Sequence, residues 1–117
     1  MIDRPSATPH VQEKQASFHA DVVREVADAV LKDAVVVVGM QVNPHVKRAR
    51  KALDEAGIAH TYLEYGGYHN RWKERLALKM WAGWPTFPQV FVKGVLIGGA
   101  NETQHMLESG ELQKLLA

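Results

Sequence analysis

The residues of this sequence that could do chemistry are its six histidines and its charged side chains, because the chain contains no cysteine. Without a thiol, the chain alone can form no disulfide, no thiolate nucleophile and no cysteine-ligated metal or cluster. His45 is the histidine of greatest interest, since Met40 and Asn43 lie close to it in sequence. One imidazole with one thioether does not define a metal site, and His60 and His69 are not spaced to complete one. The sequence therefore predicts no metal site and favours a surface position for His45.

The dipeptide Asn43-Pro44 predicts the start of a helix. An Asn side chain at this position accepts hydrogen bonds from first-turn amides, and Pro fits the first helical position without losing an intrahelical bond. We interpret Asn43 as a helix cap; the functional alternative is a hydrogen bond to a bound ligand. The basic cluster that follows, at 47–51, is interpreted as a solvated helix face, with steering of an anion or an acidic partner as its alternative.

The elements that must position these residues follow from the hydrophobic periodicity. It predicts helices over 17–32, 44–56, 70–82 and 101–116, and strands over 34–38, 58–65, 90–92 and 95–97. A helix between two strands implies a parallel pair, and the last two strands form an antiparallel hairpin. The predicted fold is a three-layer α/β sandwich with one mixed sheet. Its single domain spans 15–117, preceded by a flexible N-terminal arm over 1–14.

Particular side chains are assigned within these elements. We expect Ser17 to cap the first helix, and Asn101 with Gln104 to form a capping box on the last. The helix over 70–82 is expected to bury Trp72, with the other apolar residues of that face, and to leave Trp81 partly exposed. The same face contains Leu76 and Met80.

Composition narrows the classes of partner. Hydrophobic residues make up 46% and charged residues 23% of the chain, which is typical of a globular domain. A formal net charge of +1 gives no strong field for nucleic acid or for a membrane surface. The first residues do not resemble a signal peptide, and the longest apolar run is far too short to span a bilayer. We therefore expect a cytoplasmic protein that binds neither nucleic acid nor membranes.

One long motif carries a family resemblance. Residues 84–99 read Trp-Pro-Thr-Phe-Pro-Gln-Val-Phe-Val-Lys-Gly-Val-Leu-Ile-Gly-Gly, and this stretch resembles the signature of monothiol glutaredoxins. The agreement extends upstream through Arg75, Leu78 and Lys79 and downstream through 106–112. The resemblance implies a thioredoxin-like fold, with a four-stranded mixed sheet flanked by helices and a cis peptide bond before Pro88.

The departures from that family concern its chemistry. Asn43 stands where glutaredoxins have their redox cysteine, and Met40 matches a lysine that pairs with glutathione and with the thiolate. Ala100 and Asn101 replace the Cys-Asp that follows the paired glycines. A helix N-terminus and nearby cations normally stabilise the thiolate, whereas an Asn amide cannot ionise or attack a disulfide. The substitution keeps a helix cap and removes the nucleophile.

The resemblance also implies a ligand groove. In the family, the backbone before the cis-proline pairs with the cysteinyl backbone of glutathione, while an arginine and a helix N-terminus receive carboxylates. Glutathione, or a related small anion or peptide, is therefore the possible ligand, and no residue is assigned a catalytic role. The residues assigned to ligand binding are Met40, Asn43, His45, Arg75, Thr86, Phe87, Pro88, Gly99, Ala100 and Asn101. Arg75 has the alternative of a solvated helix residue.

Two functional hypotheses follow. The favoured one is a non-catalytic glutaredoxin-like module that binds glutathione, a peptide or a partner protein in the old groove. The alternative is a role in thiol–disulfide exchange or iron–sulfur trafficking with cysteines supplied by a partner. Enzyme activity is left open, with a non-catalytic role favoured.

Overall fold

The computed structural model describes residues 5–117. A four-stranded sheet with strand order β2-β1-β3-β4 forms the centre. The strands are β1 (Val35–Gly39), β2 (Thr61–Glu64), β3 (Gln89–Val92) and β4 (Val95–Gly98). The helices are α1 (Pro9–Ser17), α2 (Ala20–Lys32), α3 (Pro44–Glu55), α4 (Trp72–Ala82), α5 (Ala100–Ser109) and α6 (Glu111–Leu116).

The sheet has the mixed topology expected from the element order. β1 and β2 are parallel, with Val36 paired to Thr61, because α3 crosses between them. β3 runs antiparallel to β1, with Val37 opposite Val90, and the tight turn through Gly94 returns β4 antiparallel to β3. The predicted three-layer α/β architecture is confirmed.

The core lies on both faces of β1. All five residues of β1 are buried, and its consecutive valines alternate between the two faces of the sheet. Val36 and Val38 pack towards α2 and α4, whereas Val35 and Val37 pack towards the layer of α3, α5 and α6. A continuous β-branched run is what a strand covered on both faces requires.

The N-terminal segment differs from the sequence expectation. Residues 1–4 of the predicted flexible arm lie outside the described residues. From Pro9 the chain is helical in α1, which has no buried residue and is capped by Thr8. Ser17 ends α1 instead of capping the next helix, and α2 begins at Ala20 after His19 adopts a left-handed conformation, with φ of 46°. The sequence pattern does not predict α1, because a surface helix without an apolar stripe shows no hydrophobic periodicity.

The expected burial of Trp72, Leu76 and Met80 is wrong. Their exposed fractions are 59%, 39% and 57%, whereas Arg75, Ala77 and Leu78 are the buried residues of α4. Periodicity gives the angle between side chains but does not state which face meets the sheet. Here the inner face contains an arginine, whose guanidinium donates to the carbonyl oxygens of Tyr65 at 2.9 Å and Asn70 at 2.7 Å.

The cap of α5 also differs from its prediction. Gly99, not Asn101, is the capping residue, and the Glu102 carboxylate accepts from the Gly99 amide at 2.8 Å. Thr103 closes the same turn by donating its hydroxyl to the Gly99 carbonyl at 2.8 Å. The Asn101 side chain is therefore not used as a cap. The expected cis bond between Phe87 and Pro88 is present.

Leu112 and Leu115 test whether α6 belongs to the core. Leu112 is 0% exposed and packs among the valines of β1 and β3, whereas Leu115 on the same helix is 45% exposed. We expect Leu112→Ala to lower the free energy of unfolding by about 2–4 kcal/mol, since it leaves a cavity in the core. Leu115→Ala, the matched control, should cost less than about 1 kcal/mol. Urea denaturation of both variants measures the difference, and equal losses would contradict this packing.

Candidate functional site

The N-terminus of α3 is built as the sequence predicts. The Asn43 side-chain oxygen accepts from the amides of His45 at 2.9 Å and Val46 at 3.0 Å, and Pro44 occupies the first helical position. These two bonds satisfy amides that would otherwise lack an intrahelical partner. The oxygen of Asn43 is therefore committed to the helix, and Val42 before it holds a positive φ of 50° in the loop from β1.

A groove lies between the first turns of α3 and α5 and the loop before β3. Its volume is about 260 Å³. Seven of the ten residues assigned to ligand binding line it: His45, Thr86, Phe87, Pro88, Gly99, Ala100 and Asn101. Arg48, Trp84 and Glu102 complete the lining. The structure thus brings most of the predicted ligand residues to one place.

Met40 and Asn43 line a different cavity. This flanking cavity, of about 400 Å³, lies between α3 and β2, and its other residues are Val42, Pro44, Val46, Lys47, Arg50, Tyr62 and Glu64. Met40 itself is 8% exposed and packs into the core. The structure therefore separates His45 from Met40 and Asn43 by placing them on different cavities.

Arg75 lines neither cavity. It is buried, and its terminal nitrogen is occupied by the Tyr65 and Asn70 carbonyls described above. Its alternative as a solvated helix residue is wrong, and its assignment as a ligand contact stays a prediction.

Arg48 is the functional residue that sequence reasoning missed. Its guanidinium donates to the Asn101 side-chain oxygen at 2.8 Å and lies 3.3 Å from His45 Nδ1, so it joins α3 to α5 across the groove. Its Nε–H has no acceptor within residues 5–117. The signal was available: Arg48 follows His45 by three positions, which places both on one helix face. Because the whole basic cluster is interpreted from the sequence as a solvated helix face, the position of Arg48 in the groove is not predicted.

Arg50 is a second member of the basic cluster at 47–51 that is not simply solvated, and it lines the flanking cavity. Its guanidinium lies 3.8 Å from the centroid of the Tyr62 ring and is half-buried. Burial raises the pKa of the Tyr62 hydroxyl to about 12, helped by the hydrogen bond that this hydroxyl donates to the Glu64 carboxylate at 3.0 Å. At neutral pH, Tyr62 is thus a protonated donor, so the flanking cavity has two cationic groups, from Lys47 and Arg50, beside one carboxylate.

The groove has polar groups without partners among residues 5–117, together with several sources of positive charge. No backbone hydrogen bond in the described part of the chain uses the amide or the carbonyl of Phe87, although this residue is 5% exposed. The indole N–H of Trp84 is buried and lacks an acceptor among the same residues. First-turn amides of α5 and the Arg48 guanidinium add positive potential. Lys79 lies 5.6 Å from the centre of the Phe87 ring and adds further positive charge.

Comparison with known proteins identifies the family of the chain. The family model described as Glutaredoxin matches residues 35–97, which is more than half of the 117-residue chain. The chain belongs to the glutaredoxin family. A glutaredoxin-like protein of Dictyostelium discoideum is 49% identical over 96 residues, covering 82% of this chain and 78% of that protein. The predicted resemblance is confirmed.

Solved glutaredoxins share the fold. Oxidised glutaredoxin 2 from Chlamydomonas reinhardtii superposes with a TM-score of 0.73 at 27% identity, over 84% of this chain and 92% of that one. A buckwheat glutaredoxin–glutathione complex gives a TM-score of 0.73 at 22% identity, over 86% and 91% of the two chains. This glutaredoxin-like chain thus has the thioredoxin-type sheet without a cysteine. No helix within residues 5–117 is long and apolar enough to cross a membrane.

Substitution of Asn43 tests the cap. Asn43→Ala removes the acceptor for two amides, and we expect it to lower the free energy of unfolding by about 1 kcal/mol. Asn43→Ser, whose hydroxyl can replace that acceptor, should recover most of the loss. Thermal denaturation followed by circular dichroism measures both. If Asn43→Ala is as stable as the parent chain, the capping bonds do not contribute to stability.

Proposed function

We propose that this glutaredoxin-like chain is a non-catalytic binding module that keeps the glutathione-type groove of its family. The backbone of Phe87 carries the proposal: among residues 5–117 neither its amide nor its carbonyl has a backbone partner, although the residue is only 5% exposed. Backbone groups of this kind are completed by a ligand or by water. An extended peptide backbone placed beside Phe87 supplies one acceptor and one donor at this position. Glutathione has such a backbone at its cysteinyl residue.

Charge supports the same class of ligand. Glutathione carries two carboxylates, and the groove has the first turn of α5 on one side and Arg48 on the other. Arg48 is already oriented by Asn101, so an incoming carboxylate meets a guanidinium that is held in place. The buckwheat relative was solved as a complex with glutathione, which adds support from a protein of the same fold.

The absence of a thiol defines what the module does with such a ligand. In this chain no sulfur can attack a bound disulfide, and the Asn43 oxygen is engaged by two amides. Bound glutathione is therefore held and released without forming a covalent bond to the protein. We propose that the ligand, or a peptide or protein that presents the same groups, is recognised and not transformed.

Titration with reduced glutathione tests the proposal directly. We expect saturable amide shifts in the NMR spectrum centred on Phe87, Ala100 and Asn101. Arg48→Gln should weaken binding about threefold to tenfold, since it removes a charged hydrogen-bond donor from the groove. Lys51→Gln on the same helix is the matched control, because Lys51 is exposed and, among residues 5–117, pairs only with Glu55 at 3.9 Å. A spectrum that does not respond to glutathione would contradict the proposal.

Asn43→Cys tests whether the groove still presents glutathione to the start of α3. The introduced thiolate attacks oxidised glutathione, one glutathione leaves as its thiolate, and a protein–glutathione disulfide forms. We expect this reaction to be at least about tenfold faster than at Thr8→Cys, since only residue 43 caps a helix whose first turn borders the groove. Intact-mass spectrometry follows both rates.

Three outcomes of this experiment are informative. A fast reaction confined to Asn43→Cys supports a surviving groove. Equal rates for the two thiols would show that the groove gives no advantage. The parent chain should gain no mass in either case, and exchange of glutathione disulfides by the purified parent chain alone would overturn the non-catalytic assignment.

A further inference from the structure

A third cavity lies on the opposite side of the sheet from the groove. It is an open cleft of about 440 Å³ between α1, α2 and α4, and we call it the α1–α4 cleft. Its larger side chains are Phe18, Val23, Met80 and Trp81, with the small residues of the three helices between them. The volume falls within the usual range of small-molecule sites.

The walls of the α1–α4 cleft remain apolar although they face solvent. Met80 is 57% and Trp81 41% exposed. The Trp81 ring is nevertheless held in position, since its centroid lies 5.9 Å from that of Phe91 in the core. Large apolar side chains that are fixed on one side and exposed on the other are typical of surfaces that bind a ligand.

One charge lies in this apolar cleft. Arg24 is its only charged lining residue among those that the structure describes. Asp21 and Asp28 lie on the same helix, three positions before and four after, yet neither is ion-paired with Arg24 within 4.0 Å. Glu74, the one acidic residue of α4, is engaged by Arg71 at 2.8 Å, and this holds its pKa below the usual range. Among residues 5–117, the guanidinium of Arg24 therefore has no ion-pair partner within 4.0 Å.

We propose that the α1–α4 cleft binds an amphipathic anion, a ligand with one carboxylate or similar head and an apolar body. The head pairs with Arg24, and the body covers Phe18, Met80 and Trp81. Charge complementarity selects this class, because a single cation at the rim of an apolar cavity favours one negative charge attached to apolar surface. The helix α1, which has no buried residue of its own, gains apolar contacts when the ligand is bound.

Titration of the full chain with decanoate tests the proposal. We expect one saturable site, seen as a shift of the Trp81 indole N–H signal in the NMR spectrum. The indole signal of Trp72, which lines neither the cleft nor the groove, is the internal reference. Decyl alcohol should bind more weakly than decanoate, and decyltrimethylammonium more weakly still, since its charge is repelled by Arg24.

Substitutions distinguish the contribution of the Arg24 charge to decanoate binding from that of the apolar cleft. Arg24→Gln should weaken decanoate binding about threefold to tenfold and leave decyl alcohol unchanged, because an exposed ion pair contributes modestly. Lys32→Gln, which removes a positive charge from the same helix outside the cleft, should have no effect. Ala27→Leu fills the cleft from α2 and should weaken decanoate and decyl alcohol alike.

The proposal is overturned if decanoate binding is not saturable, if the quaternary ammonium binds as well as the carboxylate, or if Arg24→Gln has no effect. Analytical ultracentrifugation without ligand tests whether a second copy of the chain occupies the cleft. If the chain self-associates and Ala27→Leu abolishes this, the cleft holds a second copy of the chain instead of a small anion.

Discussion

The positive end of α3 is the constraint on which the site depends. A helix N-terminus leaves amides without partners and carries a partial positive charge, so something must accept from those amides. Glutaredoxins place a thiolate there. Here the Asn43 oxygen takes two of the amides at 2.9 and 3.0 Å, which preserves the helix start without a negative charge. The fold around this point is thereby kept, because the loop from β1 needs the same cap whichever atom provides it.

A second link joins the two helices that border the groove. Arg48 on α3 donates to Asn101 on α5. The Asn101 side chain can accept this bond because Gly99 and Glu102 provide the cap of α5. The family has an acid at the position of Asn101. An amide at this position accepts from Arg48 without neutralising it, so the guanidinium keeps its full charge towards the groove. The two substitutions near the groove therefore change its chemistry without removing its positive potential.

Much of the fold could be predicted because the decisive signals are local. The valine run of β1, the Asn43-Pro44 start of α3 and the glycine turn of the last hairpin each specify their own conformation. The orientation of α4 could not be predicted, since burying Arg75 requires two carbonyl partners, from Tyr65 and Asn70, that only the tertiary structure supplies. An apparent apolar stripe through Trp72 was therefore assigned to the wrong side.

The candidate site, like the fold, has parts that the sequence predicts and parts that only the tertiary structure reveals. The motif over 84–99 located the wall of the groove, because its backbone depends on the fold and not on particular side chains. The spacing of Arg48 from His45 indicates a shared helix face, but its link to α5 could not be predicted, since that link is a hydrogen bond to a residue 53 positions away. Long-range pairs of this kind leave little trace in one sequence, whereas helix caps and turns are encoded within a few residues.

The resemblance matches Asn43 to the family's cysteine and Met40 to its lysine, and elementary electrostatics links these two departures. A lysine at Met40 would place a cation close to the positive end of α3, and only a thiolate at position 43 makes that arrangement favourable. Once Asn43 replaces the thiolate, the cation would be repelled by the helix end and partly buried, because Met40 is only 8% exposed. An apolar side chain removes that cost. Positive charge at the groove then comes from Arg48, from the first turn of α5 and from Lys79 beside the Phe87 ring, and none of these depends on a cation at position 40.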